Sequence, residues 1–250
     1  MVEEGVVIAA GLGKRLGLGL PKALVEVAGV PLLGRVLWTF GRLGVKRAVV
    51  VTGFKAEEVE GKFSDPALTF GLKVEFVRNP RYKGGNGLSV LCAKGRVGDR
   101  FLLSMVDHIF DPEALRGMVE ANLEGADILI AVDSSPKIVD PEEATRVRLE
   151  GNSGEGKRVR RVEAIGKGIA PFDAVDCGIF VCTPGIFPAI EEAASKGLEE
   201  WNDAKQVLAH RGRALAYDIR GSFWLDVDTP EDLERAERLI PHHLGQGPRE

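Results

Sequence analysis

Five short apolar runs, separated by four segments of helical period, dominate the first half of the chain: VVIA (Val6 to Ala9), AVVVT (Ala48 to Thr52), VEFV (Val74 to Val77), FLLSMV (Phe101 to Val106) and ILIAV (Ile128 to Val132). A strand that is apolar at every position is buried on both faces, which happens when helices cover both sides of a sheet. The intervening segments read as helices from Pro31 to about Leu43, Lys55 to Phe63, about Gly87 to Arg96, and Pro112 to about Leu123. The pattern predicts an α/β fold, a Rossmann-like three-layer α/β/α arrangement around a mostly parallel mixed sheet.

The pattern changes after Val132. ATRVRLEG and KRVRRVEAIG alternate charged and apolar residues around the turn-rich GNSGEG, which predicts an inserted antiparallel β-hairpin. A strand from Asp176 to Cys182, helices near Ile186 to Ala194 and Asp203 to His210, a strand from Ala214 to Ile219 and a last helix from Pro230 follow, and the tail after Pro241 is expected to fray. With 44% hydrophobic residues, no repeat and no linker, residues 1–250 read as one domain.

Charge and cysteine usage exclude several functions. A formal net charge of −4 gives no global attraction to nucleic acid or anionic membrane, so any anion binding must be local. Arg146, Arg148, Arg158, Arg160 and Arg161 cluster on the hairpin, but Glu143, Glu150, Glu155 and Glu163 are interleaved, as on a solvated face, and no nucleic-acid partner is expected. No apolar run approaches the ~20 residues of a membrane span, and MVEEG is acidic where a signal peptide is basic, so the expectation is a cytoplasmic protein without membrane insertion. Cys92, Cys177 and Cys182 form no metal pattern; the last two are five apart in a strand, which points them to opposite faces as buried reduced thiols.

The stretch after the first strand, AAGLGKRLGLGLPKAL (Ala9 to Leu24), concentrates glycines and three cations, Lys14, Arg15 and Lys22. It is not a dinucleotide-binding turn: the glycines are spaced GxGxxxG, Leu16 stands where the third glycine belongs, and Gly17, Gly19 and Pro21 prevent the helix that motif opens. One reading is a plain surface turn. The preferred one is a polyphosphate cradle, because glycines let backbone N–H groups converge on phosphate oxygens while the cations supply charge, at the sheet edge where such folds bind ligands.

Two sets of carboxylates suit a hard metal ion. Asp107 ends the Phe101 strand at its carboxyl end, where it is either a ligand or a turn initiator. In SFWLDVDTPEDL, Asp226 and Asp228 are two apart and project to one side of an extended segment, whereas Thr229, Pro230 and Asp232 form a helix capping box. Mg²⁺ takes one or two carboxylates and completes its shell with water and phosphate oxygens.

Taken together, AAGLGKRLG with PKAL, KGGNGLSVLCAK, MVDH, DPEEATRVRLEG, IGK and WLDVDTPEDL resemble the sugar-nucleotide pyrophosphorylase family, and within it the CTP:inositol-1-phosphate cytidylyltransferases, over Val6 to about Leu239. The resemblance implies transfer of CMP from CTP to a phosphorylated polyol, with release of pyrophosphate. It implies that Ala10, Gly11, Leu12, Gly13 and Lys14 hold the nucleotide, that Lys22 and Arg15 act on the triphosphate, and that Asn86, Gly87 and Ser89 lie against the base. It also implies Mg²⁺ on Asp107 and on Asp226 or Asp228, Lys167 at the acceptor phosphate, and Arg146, Thr145 and Asp176 around the acceptor, with a structural role equally open for Arg146. Relatives are often fused to a membrane synthase that uses CDP-inositol, so a separate synthase is the expected functional partner. Another acceptor or nucleotide base, as in a cytidylyl- or other nucleotidyltransferase acting on phosphocholine or a hexose 1-phosphate, and a noncatalytic nucleotide-binding regulator are the competing readings.

A phosphate monoester, with a second pKa near ~6, is largely a dianion at neutral pH and needs no general base. The barrier is bringing that dianion up to a polyanion, which cations and a metal relieve. His108, beside Asp107, either orients its neighbour, meets substrate or is simply packed.

Overall fold

The computed structural model describes residues 2–151 and 156–244, so the tip of the predicted hairpin turn, Glu155 and the tail from residue 245 lie outside the described residues. The strands are β1 (Glu4–Ala9), β2 (Glu26–Val27), β3 (Val30–Pro31), β4 (Arg47–Thr52), β5 (Lys73–Arg78), β6 (Phe101–Met105), β7 (His108–Phe110), β8 (Ile128–Asp133), β9 (Arg146–Leu149), β10 (Val159–Gly166), β11 (Ala174–Cys182), β12 (Ala214–Asp218) and β13 (Trp224–Asp226). The helices are α1 (Leu32–Arg42), α2 (Ala56–Lys62), α3 (Asn86–Leu91), α4 (Pro112–Glu120), α5 (Ile186–Ser195), α6 (Trp201–His210) and α7 (Pro230–His243). The last helix runs through Pro241, two residues further than the sequence suggested. By contrast, α3 stops at Leu91 and not near Arg96.

Nine strands form one sheet in the order β5-β4-β1-β6-β11-β8-β12-β10-β9, and β9 also pairs back onto β11. The expectation of a mostly parallel sheet is corrected: among the described residues four of its pairings are parallel and five antiparallel. The physical reason lies in β11, which runs against both β6 and β8 and is buried at all nine positions. An all-apolar run reports burial on two faces and carries no information about strand direction. The predicted hairpin is present as β9 and β10, and it joins β12 as well, so this end of the sheet curls back on itself.

Alternate strand residues feed two cores. Val7, Ala9, Cys177 and Val181 pack with α1, α2 and α4 through Leu37, Phe40, Val59, Leu115 and Met118. Val6, Ile8, Phe180 and Cys182 pack with α3, α5 and α6 through Val90, Ile186, Ile190, Trp201 and Leu208. Cys177 and Cys182 therefore do face opposite sides of the sheet. A third, smaller cluster joins Leu16 and Val25 of the glycine-rich segment to Leu225, Val227, Ala236 and Ile240 of β13 and α7. It matters for function because it brings the C-terminal carboxylates over the N-terminal loop.

Candidate active site

The ends of β1 and β6, parallel neighbours, define the site. After Ala9 the chain makes a 3-10 turn at Lys14–Leu16, bounded by Gly13 and Gly17 in the left-handed region at φ 60° and 68°, and so forms no longer helix. A second such turn at Lys22–Leu24 follows Pro21 and buries Lys22, which is 8% exposed. After Met105, Val106 N–H donates to Ile8 O (3.2 Å) and continues β6 toward the turn that carries Asp107. The short ribbon of β7 and β13, which the sequence reading missed, pairs His108 with Asp226 and sets the DVD segment beside Asp107. Val227 N–H donates to Asp107 O (3.0 Å) and fixes that register.

These elements converge on a charge cluster. Lys22 Nζ donates to Asp107 Oδ2 (2.6 Å) and to Asp228 Oδ1, and Arg15 donates to Asp228 Oδ2 (2.6 Å). Burial opposes the charge of the Lys22 ammonium, but Asp107 and Asp228 raise its pKa above the ordinary lysine value. Burial alone would push the Asp107 carboxyl up; Lys22 and then His108 hold it well below the usual carboxylate range. Asp226 behaves differently: burial raises its pKa, with opposition from His108 and reinforcement from Asp107 and Asp228. Its carboxylate makes no hydrogen bond or ion pair among the described residues.

A cleft of about 280 Å³ lies over this cluster and brings together Gly11, Gly13, Lys14, Arg15, Lys22, Asn86, Ser89, Asp107 and Asp228. Tyr82, Gly84, Met105 and Val106 also line it, and the sequence reading missed them. Tyr82 had a signal, since it stands in the same NPRYKGGNG stretch as Asn86. A larger cavity of about 720 Å³ opens under the hairpin, lined by Arg158, Arg160, Arg161 and Arg220. Arg160 donates to the carbonyls of Glu150 and Gly151, Arg161 to that of Gly212 and Arg220 to that of Gly156, so these guanidiniums brace loops.

Several predicted site residues are committed to the protein itself. Asn86 Oδ1 accepts from Trp201 N (2.7 Å) and Gly87 N donates to Glu199 O (3.0 Å), docking α3 against the start of α6. A Cβ on Gly87 would lie 2.7 Å from Glu199 O, so this glycine serves close packing. Ser89 Oγ accepts from Asn79 Nδ2 (2.9 Å). Ala10 is buried with its carbonyl bonded to Phe54 N (3.1 Å), and Leu12 is half-buried on the loop.

The four acceptor residues do not line the cleft. Lys167 is exposed in the turn after β10. Arg146 donates to the carbonyls of Pro141 (3.0 Å) and Ile169 (3.4 Å), pairs with Glu142 and lies 4.8 Å over the Phe172 ring, tying two loops together. Thr145 O accepts from Asp176 N (2.8 Å) and its hydroxyl from Asn202 (3.2 Å). Asp176 is paired with Lys205, both buried, with the Lys205 Nζ 5.0 Å from the Phe180 ring centroid.

The sheet and the helices on it define a mixed α/β nucleotidyltransferase fold. The chain belongs to the family of MobA-like NTP transferase domains, whose pattern it matches over residues 5–215. It is similar to a "Bifunctional IPC transferase and DIPP synthase" of Rubrobacter xylanophilus, 42% identical over 95% of this chain and 52% of that protein. A protein of the same description from Aquifex aeolicus is 35% identical over 96% of this chain and 52% of that one. The chain thus spans about half the length of these curated relatives. In fold it is similar to the inositol-1-phosphate CTP transferase from T. maritima, with a TM-score of 0.81, 24% identity and 96% of each chain covered.

Proposed function

We propose that the chain transfers CMP from CTP to inositol 1-phosphate, giving CDP-inositol and pyrophosphate. One observation carries the chemistry: a buried lysine ammonium shared between two carboxylates, beneath a glycine-rich loop at the carboxyl edge of the sheet. The choice of acceptor is supported by the relatives' descriptions, because no residue of the cleft distinguishes inositol from another polyol by physics alone. The layering of helices on both sheet faces is read as Rossmann-like. A membrane synthase that uses CDP-inositol is the expected next enzyme; among the described residues no helix of this chain is long and apolar enough to cross a membrane.

Mg²⁺ fits the residues present. Asp107 and Asp228 offer hard oxygens on either side of the Lys22 ammonium, each carboxylate with lone pairs that Lys22 does not use, and Asp226 adds a carboxylate that makes no hydrogen bond among the described residues. Among the described residues no three His, Cys, Asp or Glu side chains form a metal cage. That suits an ion held by one or two carboxylates together with substrate phosphates. When bound, it would neutralise charge building up on phosphate oxygens.

The chain's own residues do the rest. Backbone N–H groups of Gly11, Leu12 and Gly13 face the triphosphate, and Lys14, Arg15 and Lys22 surround it with positive charge. Asn86, Gly87 and Ser89 shape the wall beside the base, with Asn86 held by Trp201. Thr145, Arg146 and Asp176 shape the loops around the acceptor from behind, and Lys167, exposed on its turn, meets the acceptor phosphate. The acceptor attacks as a dianion, so no histidine takes its proton.

The test is pyrophosphate release from CTP with a panel of inositol 1-phosphate, phosphocholine and hexose 1-phosphates, with and without chelator. Release with inositol 1-phosphate alone, abolished by chelation, is expected. Release with another acceptor reassigns the substrate, and binding of CTP without release from any acceptor makes the chain a regulator.

A further inference from the structure

His108 lies directly behind Asp107. Its Nδ1 is 2.6 Å from Asp107 Oδ1, while Asp107 Oδ2 receives Lys22 Nζ at the same distance. A carboxylate only accepts, so Nδ1 carries the proton and donates. The two oxygens of Asp107 are thereby divided: one is tied back to the imidazole and the other faces the cleft.

The imidazole is itself fixed on several sides. Its ring lies nearly parallel to Trp224 (centroids 6.2 Å apart, 4° between planes) and to Phe110 (6.2 Å, 16°), one on each strand of the β7–β13 ribbon. Gly178 of β11 closes another side: a Cβ there would lie 2.5 Å from His108 Cδ2 and Nε2. Gly178 stands at φ 76°, where the β11 register shifts between Asp176 and Phe180. Asp176 Oδ1 accepts from Gly178 N (2.8 Å), and the other Asp176 oxygen is held by buried Lys205. The imidazole is not among the groups lining the cleft, whereas Asp107 is, so His108 reaches the cleft through Asp107.

We infer that His108 is a positioning residue that fixes the rotamer of Asp107, and that the β11 irregularity around Gly178, braced by Asp176 and Lys205, is the wall that holds His108 in place. The inference rests on the proposed function for its kinetic consequences and on geometry alone for its spectroscopic ones. It gives the sequence EAT…VDCG a purpose apart from substrate contact: Asp176 acts on the metal-facing carboxylate through Gly178 and His108. Groups that orient a ligating side chain through one intermediate typically change affinity or activity by about 10- to 100-fold when removed.

The test compares His108→Phe, which keeps the ring stack and removes the donor, with His108→Asn, whose amide N–H falls near the place of Nδ1. His108→Phe is expected to lower kcat about 10- to 100-fold with the KM for CTP changed less than about threefold. His108→Asn should recover most of that loss. Nitrogen-15 spectra of the ligand-free protein should show His108 protonated at Nδ1, with that signal lost in Gly178→Ala, where the new methyl displaces the ring. A His108→Phe enzyme with unchanged kcat, an Asn variant no better than Phe, or an imidazole protonated at Nε2 alone would each overturn the inference. If the wild type releases no pyrophosphate from any acceptor, the proposed function fails, while the imidazole spectra still decide this one.

Discussion

Lys22 combines a buried position with two carboxylate partners, so its charge is held in place before any substrate arrives. A preorganised cation of this kind costs no reorganisation when charge develops on a phosphoryl group. Lys22→Ala should therefore lower turnover by about 10²- to 10³-fold, and a steady-state assay showing less than a threefold loss removes Lys22 from the mechanism. Asp107→Asn should abolish metal-dependent turnover and keep the fold but lower the thermal midpoint, since the amide offers one acceptor where the carboxylate offers two, to Lys22 and to His108. Wild-type Mg²⁺ dependence in that variant would show that Asp107 is no ligand. At this scale the sequence made Lys14, Arg15, Lys22 and Asp107 legible, because charge on a glycine-rich loop and a carboxylate ending an apolar strand are both local features. It left Asp226 and Asp228 equivalent, because period-two alternation says nothing about which of them turns toward Lys22. Asp228 does, since Val227 N is bound to Asp107 O and Asp228 N donates to Asp232 Oδ2 (3.2 Å) where β13 gives way to α7.

Elements, more than single residues, decide where those carboxylates stand. The first turn of α7 is a capping box in which Thr229 Oγ1 accepts from Asp232 N (3.2 Å) and Asp232 Oδ2 accepts from Thr229 N (3.0 Å), with Pro230 at the first helical position. The sequence reading assigned Asp232 to this structural role alone. Its bond to Asp228 N adds a second one, because the cap also anchors a residue of the charge cluster. Thr229→Ala should cost about 0.5–2 kcal/mol of stability, read as a lower urea midpoint with an unchanged slope. Asp232→Ala should cost a similar amount and in addition raise the Mg²⁺ concentration for half-maximal turnover more than Thr229→Ala does. Equal metal requirements in the two variants would confine Asp232 to capping. The β7–β13 ribbon was illegible beforehand because its partners lie more than a hundred residues apart in strands of three residues. Helix caps and long apolar runs announce themselves locally, whereas a short ribbon exists only through its tertiary pairing.

For the whole molecule, β11 ties the two cores together, with Cys177 among the side chains under α1 and α4 and Cys182 among those under α5 and α6. Burial raises both thiols well above their ordinary values, helped for Cys177 by Asp176, Asp133 and Asp218 and for Cys182 by Asp127. A thiol whose folded-state pKa exceeds its unfolded one retains its proton longer in the folded chain, so its contribution is fully present below about pH 8.5 and is lost as the pH rises toward the folded value. Once the unfolded thiol ionises, each such group lowers the free energy of unfolding by about 1.4 kcal/mol per pH unit. The urea midpoint should then fall between about pH 9 and 10.5 more steeply in the wild type than in a Cys177→Ala, Cys182→Ala variant, whatever other groups contribute to both. Each single substitution should remove about half of the difference, because each thiol samples one face of the sheet independently. Equal alkaline slopes in the wild type and the double variant would mean that neither thiol is shielded from water, whereas a single substitution that removes the whole difference would show that only that face of β11 is closed.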